Sequence, residues 1–226
     1  IEKKCIEHLT DRKVDGILLC SVNNSKDYDK YLKSLNIPIV TVINKTSESF
    51  HYISIDDRIA MKQATRHVID KGYKRIIYLS PALSYRDKMN IYAVNQRFIG
   101  FTDAIKESTS DIETIIIDNK NFTDLFDGIK FTGSKKTAVI CTSDIFAIEV
   151  LSYFKRRGIK VPGDAGIMGF DNIDVLKYIE PALTTVSYPM DDIGIKAVEL
   201  LLRLVEGANV HEVPVLEHRI IDRMSL

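Results

Sequence analysis

The chain has no excess of either charge. Its 31 lysines and arginines are matched by 31 aspartates and glutamates, a formal net charge of zero over 226 residues. A module that grips nucleic-acid phosphates carries a basic face. The short clusters Lys135-Lys136 and Lys155-Arg156-Arg157 read more simply as solvated helix ends or turns. Cysteine is scarce: Cys5, Cys20 and Cys141 form no Cys-x-x-Cys pair and no cysteine–histidine spacing suited to a metal. Cys20 and Cys141 each end an apolar run, so both read as small buried hydrophobes and suggest a reducing compartment. No apolar run nears the roughly 20 residues a membrane span needs. No secretory signal stands out, and because Ile1 rather than Met opens the chain, a longer N-terminus is expected. A Gly-x-Ser-x-Gly elbow, a phosphate loop and a zinc spacing are all missing. The histidines at 8, 51, 67, 211 and 218 do not cluster with a nucleophile, and Gly166-x-x-Gly169 lacks dinucleotide spacing. Asp171 lacks the acidic partners and lysine of a phosphoacceptor. An enzyme is therefore not expected, and no catalytic residue, metal site or cofactor is assigned.

What is present can fold. The chain is 45% hydrophobic and 27% charged, enough to bury a core in one large domain or two smaller ones. Short aliphatic runs recur at residues 14–20, 37–43, 75–79, 114–118, 137–141 and 165–170. None alternates, which is the pattern of parallel strands covered on both faces. Helical periodicity lies between them at 1–9, 57–71, 97–106, 144–157 and 191–206, with Gly72, Gly158 and Gly207 placed as terminators. Strand–helix alternation of this kind predicts an α/β fold with doubly wound parallel sheets. Two stretches break the rhythm. Residues 80–95 form a connection rich in Tyr and charge, read equally as a lid or as a solvated insertion, and 180–189 is an extended segment bracketed by Pro181 and Pro189. Pro214 suits the 213–223 segment to an edge strand.

Several motifs then appear in order. They are Val14-Asp-Gly-Ile-Leu18, Asp56 sixteen positions before Gly72-Tyr-Lys-Arg-Ile76, Arg97-x-x-Gly-Phe101, and Ala138-Val-Ile-Cys-Thr-Ser-Asp-Ile-Phe-Ala147. Val161-Pro-Gly-Asp164 with Ile167-Met-Gly-Phe-Asp-Asn172 follows, then Pro181-x-Leu-Thr-Thr-Val186 with Ile193-Gly194, and the closing Arg223-Met-Ser225. Each is weak alone. Together, across almost the whole chain, they resemble the effector-binding domain of the LacI/GalR transcriptional regulators.

The resemblance implies a periplasmic-binding-protein-like fold of two subdomains joined by three crossover strands, with a ligand in the cleft between them. It places the first subdomain at 1–80 plus 190–215 and the second at 81–189 plus 216–226. It also implies a helix-turn-helix headpiece and a first β-α-β unit ahead of this chain, operator DNA as partner through that headpiece, a homodimer, no membrane, and a cytoplasmic location. Inducer and corepressor roles are not distinguished. An exported sugar-binding protein of a transport system shares the fold; the Pro181-x-Leu-Thr-Thr and Arg223-x-Ser225 motifs favour the regulators.

The small-molecule effector expected is sugar-like. A carboxylate accepts from two hydroxyls and a guanidinium donates in a fork, and the resemblance gives these roles to Asp171 and Arg97. Phe170, Tyr188 and Tyr85 are candidates to cover the apolar face of a ring. Arg97 also reads as a surface helix cation, Asp171 as a turn or cap residue, and Phe170 equally as core. Asp144 and Asp56 read as helix caps. Ser143 stands where the family commonly places an asparagine, which leaves Ser143 a candidate contact and the effector unnamed.

Overall fold

The computed structural model describes every residue except 24, 26 and 134. Its helices are α1 (Glu2–Asp11), α2 (Tyr28–Ser34), α3 (Asp57–Asp70), α4 (Tyr92–Glu107), α5 (Phe122–Asp127), α6 (Asp144–Arg156) and α7 (Met190–Val205). Its strands are β1 (Ile17–Leu19), β2 (Ile39–Val42), β3 (His51–Ile53), β4 (Arg75–Leu79), β5 (Glu113–Ile117), β6 (Thr137–Cys141), β7 (Ala165–Asp171), β8 (Thr184–Ser187) and β9 (Arg219–Ile221). Contacts divide the chain into two compact units. The first comprises Ile1–Asp56, Tyr85–Asn95 and Pro189–Glu217; the second comprises Asp57–Ser84, Gln96–Tyr188 and His218–Leu226.

In the first unit β1, β2 and β3 form a parallel sheet in that order, with α7 packed along all three strands. Ile6 of α1, Ile17, Leu19, Ile39, and Tyr28 and Leu32 of α2 make one buried cluster there. The second unit holds a six-stranded sheet in the order β5-β4-β6-β7-β8-β9, parallel except for the last pair. The chain winds outward from β4 to β5, then returns to place β6 on β4's other side. This reversal is the point where doubly wound sheets open a crevice at the carboxyl ends of their strands. β6 is buried along its whole length, as its unbroken aliphatic sequence requires of a central parallel strand. Val139 and Cys141 of β6 share a second core with Phe122, Phe126, Phe131 and Phe154.

Three expectations are corrected. The boundary expected at residue 80 lies at Asp56/Asp57, because β4 hydrogen-bonds to both β5 and β6 and so cannot belong with β1–β3. Residues 85–95 also change side, from the second unit to the first. Asn90 N–H donates to the Val22 carbonyl (2.8 Å), Asn90 Nδ2 to the Lys45 carbonyl (3.1 Å) and Ala93 N–H to Asn44 Oδ1 (3.1 Å). Tyr92 meets Tyr52 edge-on with ring centroids 5.7 Å apart. The end of the segment, from Asn90, is docked structure, while residues 86–89 are exposed. It also starts α4 early: Asn90 Oδ1 accepts from Tyr92 N–H at 3.1 Å, so the helix begins five residues before Arg97. A third correction concerns Cys20, which is exposed, whereas Cys141 is buried.

Candidate effector site at the carboxyl ends of the second sheet

The carboxyl ends of β6 and β7 meet the start of α3 and the body of α4, all within the second unit. Arg97 projects from α4 and is almost enclosed, its side chain 7% exposed. Three features hold it. Its Nε donates to Asp57 Oδ1 at 2.7 Å, its Nη1 donates to the Thr142 carbonyl beyond β6 at 2.6 Å, and its guanidinium carbon lies 3.7 Å from the centre of the Phe170 ring. Tyr188 flanks it at 5.4 Å. The stack on Phe170 fixes the plane of the fork and leaves its outer edge directed by the two bonds.

Asp171 ends β7, and its Oδ1 stands 3.6 Å from Arg97 Nη1. The two residues expected to share a ligand are therefore neighbours. Asp171 is the more open, at 30% exposure of its side chain. Burial pushes its carboxyl up to about 7; the Arg97 cation pulls it back, and the Asp144 and Asp57 carboxylates push it further. For Arg97, burial alone would lower the guanidinium, but Asp57 and Asp171 offset this and hold it above the ordinary arginine value.

The other candidates divide. Phe170 is fully buried and serves as the platform under Arg97, while Tyr188 is nearly buried, its ring 6.2 Å from that of Phe170. Ser143 caps α6, its Oγ accepting from Phe146 N–H at 3.5 Å. That corrects the reading of Asp144 as the cap: Asp144 is the first residue of α6, wholly buried, and takes Thr185 Oγ1 at 2.6 Å and Ile173 N–H at 2.9 Å. Burial raises its carboxyl, with the Thr185 and Ile173 bonds opposing. Tyr85 belongs to the first unit and not to the second, which holds this group.

Sequence reasoning missed Asp57, the buried carboxylate that pairs with Arg97 at 2.7 Å. Its neighbour Asp56 drew attention as a cap, yet an Asp-Asp pair at a helix start offers two carboxylates, and the second is the one turned inward: Asp57 is buried and Asp56 is half-buried. Gly100 explains the Arg97-x-x-Gly spacing. A Cβ there would run into the Arg58 carbonyl, so only glycine lets α4 lie against α3 at the level of the Arg97–Asp57 pair.

A family model for the periplasmic binding protein-like domain matches residues 65–226. The chain belongs to this family. The relatives and solved structures that it resembles are named as transcriptional regulators. It is 30% identical over 223 residues to the transcriptional repressor CytR of Escherichia coli (strain K12), an alignment covering 92% of this chain and 61% of CytR. The chain thus spans about three-fifths of the length of such a relative. Among solved structures, the regulator CcpA of Lactococcus lactis superimposes with a TM-score of 0.82 at 25% identity, over 99% of this chain and 82% of that one. A LacI family regulator from Enterococcus faecium, solved with bound ribose, gives 0.82 at 25% identity over 98% and 83%. The periplasmic-binding-protein-like α/β fold is therefore shown. No helix among the described residues is long and apolar enough to cross a membrane.

Proposed function

We propose that this chain is the effector-sensing part of a cytoplasmic, homodimeric, DNA-binding repressor, and that its effector is a neutral polyhydroxylated molecule such as a sugar, held by Arg97 and Asp171. The observation that carries this is the 3.6 Å approach of Arg97 Nη1 to Asp171 Oδ1 at the carboxyl end of the sheet. A donor and an acceptor at that separation match two vicinal hydroxyls, one accepting from the guanidinium and one donating to the carboxylate. The names of relatives such as CytR support the repressor role, and the ribose bound to the Enterococcus faecium regulator supports a sugar.

Local charge narrows the class. One guanidinium is surrounded by the carboxylates of Asp57, Asp171 and, behind them, Asp144. Above about pH 7, where Asp171 has released its proton, this face carries more negative than positive charge, so a phosphorylated or carboxylated ligand meets repulsion at Asp171 whereas a neutral polyol does not. Effector binding would act on DNA by favouring one of two conformations, to the extent that it binds one more tightly than the other.

Thermal-shift measurements against neutral pentoses, hexoses and nucleosides, each paired with its phosphate ester, test the reading. At least one neutral compound should raise the unfolding midpoint of the wild type, its phosphate ester should not, and Arg97→Met should abolish the effect. Stabilisation by phosphate esters alone, or by nothing in the panel, would overturn it.

A further inference from the structure

Asp171 and its successor stand in backbone conformations that side chains avoid: φ is +113° at Asp171 and +56° at Asn172. Such positions cost on the order of 1–3 kcal/mol each and persist only where the surroundings over-determine them. Two residues distant in sequence supply that determination. From the last strand's exit, Arg223 Nη2 donates to Asn172 Oδ1 at 2.8 Å, while its Nη1 donates to the Leu183 carbonyl at 2.8 Å and its own N–H to Thr184 Oγ1 at 2.9 Å. From the start of α6, Asp144 Oδ2 accepts from Ile173 N–H at 2.9 Å, and its Oδ1 is occupied by Thr185 Oγ1 at 2.6 Å. Gly169, two residues before Asp171, has no room for a side chain because a Cβ there would strike Asp144 Oδ1.

The geometry points to Arg223 and Asp144 as positioning residues for the Asp171 carboxylate: they grip the two residues that follow it, Arg223 holding Asn172 and Asp144 holding Ile173. The strand end thus turns at Asp171 in the one direction that brings its carboxylate beside Arg97. The closing Arg-x-Ser motif then has a physical reason. Ser225 Oγ donates to the Ile167 carbonyl (2.6 Å) and accepts from Thr184 N–H (2.8 Å), so the segment carrying Arg223 is itself stitched to β7 and β8. Without the clamp, Asp171 would relax to an ordinary backbone conformation, and its side chain would swing toward solvent. The functional meaning rests on Asp171 being a ligand group, but the clamp itself is testable without any ligand.

The test is a carbon-detected NMR titration of the Asp171 carboxyl in wild type, Asn172→Gly and Arg223→Met. The charged groups that act on Asp171 are Arg97 from α4, Asp144 from α6 and Asp57 from α3, and Tyr188 beyond β8 flanks Arg97. Asn172→Gly removes the acceptor of the Arg223 bond without changing charge, and glycine tolerates the positive φ. Arg223→Met removes a cation, which by electrostatics alone would raise the Asp171 titration midpoint. Release of the clamp lowers it in both variants, toward the ordinary carboxylate value near 4. A downward shift of about one unit or more in both is expected. An unchanged midpoint in folded Asn172→Gly, or shifts of opposite sign in the two variants, would overturn the proposal. If Arg223→Met fails to fold, Asn172→Gly alone decides. Failure here leaves the sensor reading standing, and failure of the ligand panel leaves the clamp standing.

Discussion

Replacing Asp57 by alanine removes the main counter-charge of a guanidinium that is 7% exposed. Breaking one partner of a buried ion pair costs about 3–5 kcal/mol, because the remaining charge is stranded out of water. Arg97 would still have the Thr142 carbonyl at 2.6 Å and Asp171 at 3.6 Å, which places the loss near the lower end, about 3 kcal/mol. For a protein of this size each kilocalorie moves the midpoint by roughly 2–4 °C, so a fall of roughly 6–12 °C is expected. Urea titrations followed by circular dichroism measure the change, and the double variant Asp57→Leu/Arg97→Met separates the pair from its surroundings. The double variant should recover most of the loss, since no stranded charge remains. A change within about 0.5 kcal/mol for Asp57→Ala, or additive losses in the double variant, would refute the view that this pair anchors Arg97.

Other expectations follow from the same geometry. Because the folded-state midpoint of Asp171 is raised to about 7, the native protein holds a proton there that the unfolded chain has released above about pH 4. Stability should therefore fall as pH rises from about 4 to 7 and level off above, with a slope that Asp171→Asn abolishes. At pH 8 that variant should be more stable than wild type by about 2 kcal/mol, half the unit conversion because the side chain is 30% exposed and shares Arg97. Gly100→Ala places a Cβ 2.9 Å from the Arg58 carbonyl carbon and 3.0 Å from the Lys62 nitrogen. Backbone cannot yield there, so thermal unfolding should show a loss of about 3 kcal/mol. Gly194→Ala in α7 meets nothing within 4 Å and should instead gain about 0.5–1 kcal/mol by helix propensity. A thiol reagent should modify Cys5 and Cys20 in the native protein and spare Cys141, whose thiol is buried and pushed well up by that burial.

The α/β alternation was legible in the sequence because unbroken aliphatic runs and glycine-terminated helices carry strong local signals. β4 and β6 lie where their runs predict, and α3 and α6 end within a residue of the expected stops. The short elements were not legible: β3 has three residues, α5 six and α2 seven, too few to show a period. The boundary near residue 56 was misplaced for a different reason. Which sheet β4 joins is a matter of long-range pairing with β5 and β6, and nothing within residues 75–79 records it. At the site, Arg97 and Asp171 came from the resemblance, and their proximity is a tertiary fact. Asp57, Asp144 and Arg223 escaped their present roles because each acts on a residue 29 to 51 positions away. Ser143 and Asp144 exchanged roles for a local reason: the cap is the residue with extended backbone before the helix, and that is Ser143, with φ −153° and ψ 159°.

A crystal structure of the chain with the most stabilising neutral compound of the panel tests the central claim most directly. The account predicts that one ligand places a hydroxyl oxygen within about 3 Å of an Arg97 nitrogen and another within about 3 Å of an Asp171 carboxylate oxygen. A ligand seated without touching either residue would contradict it.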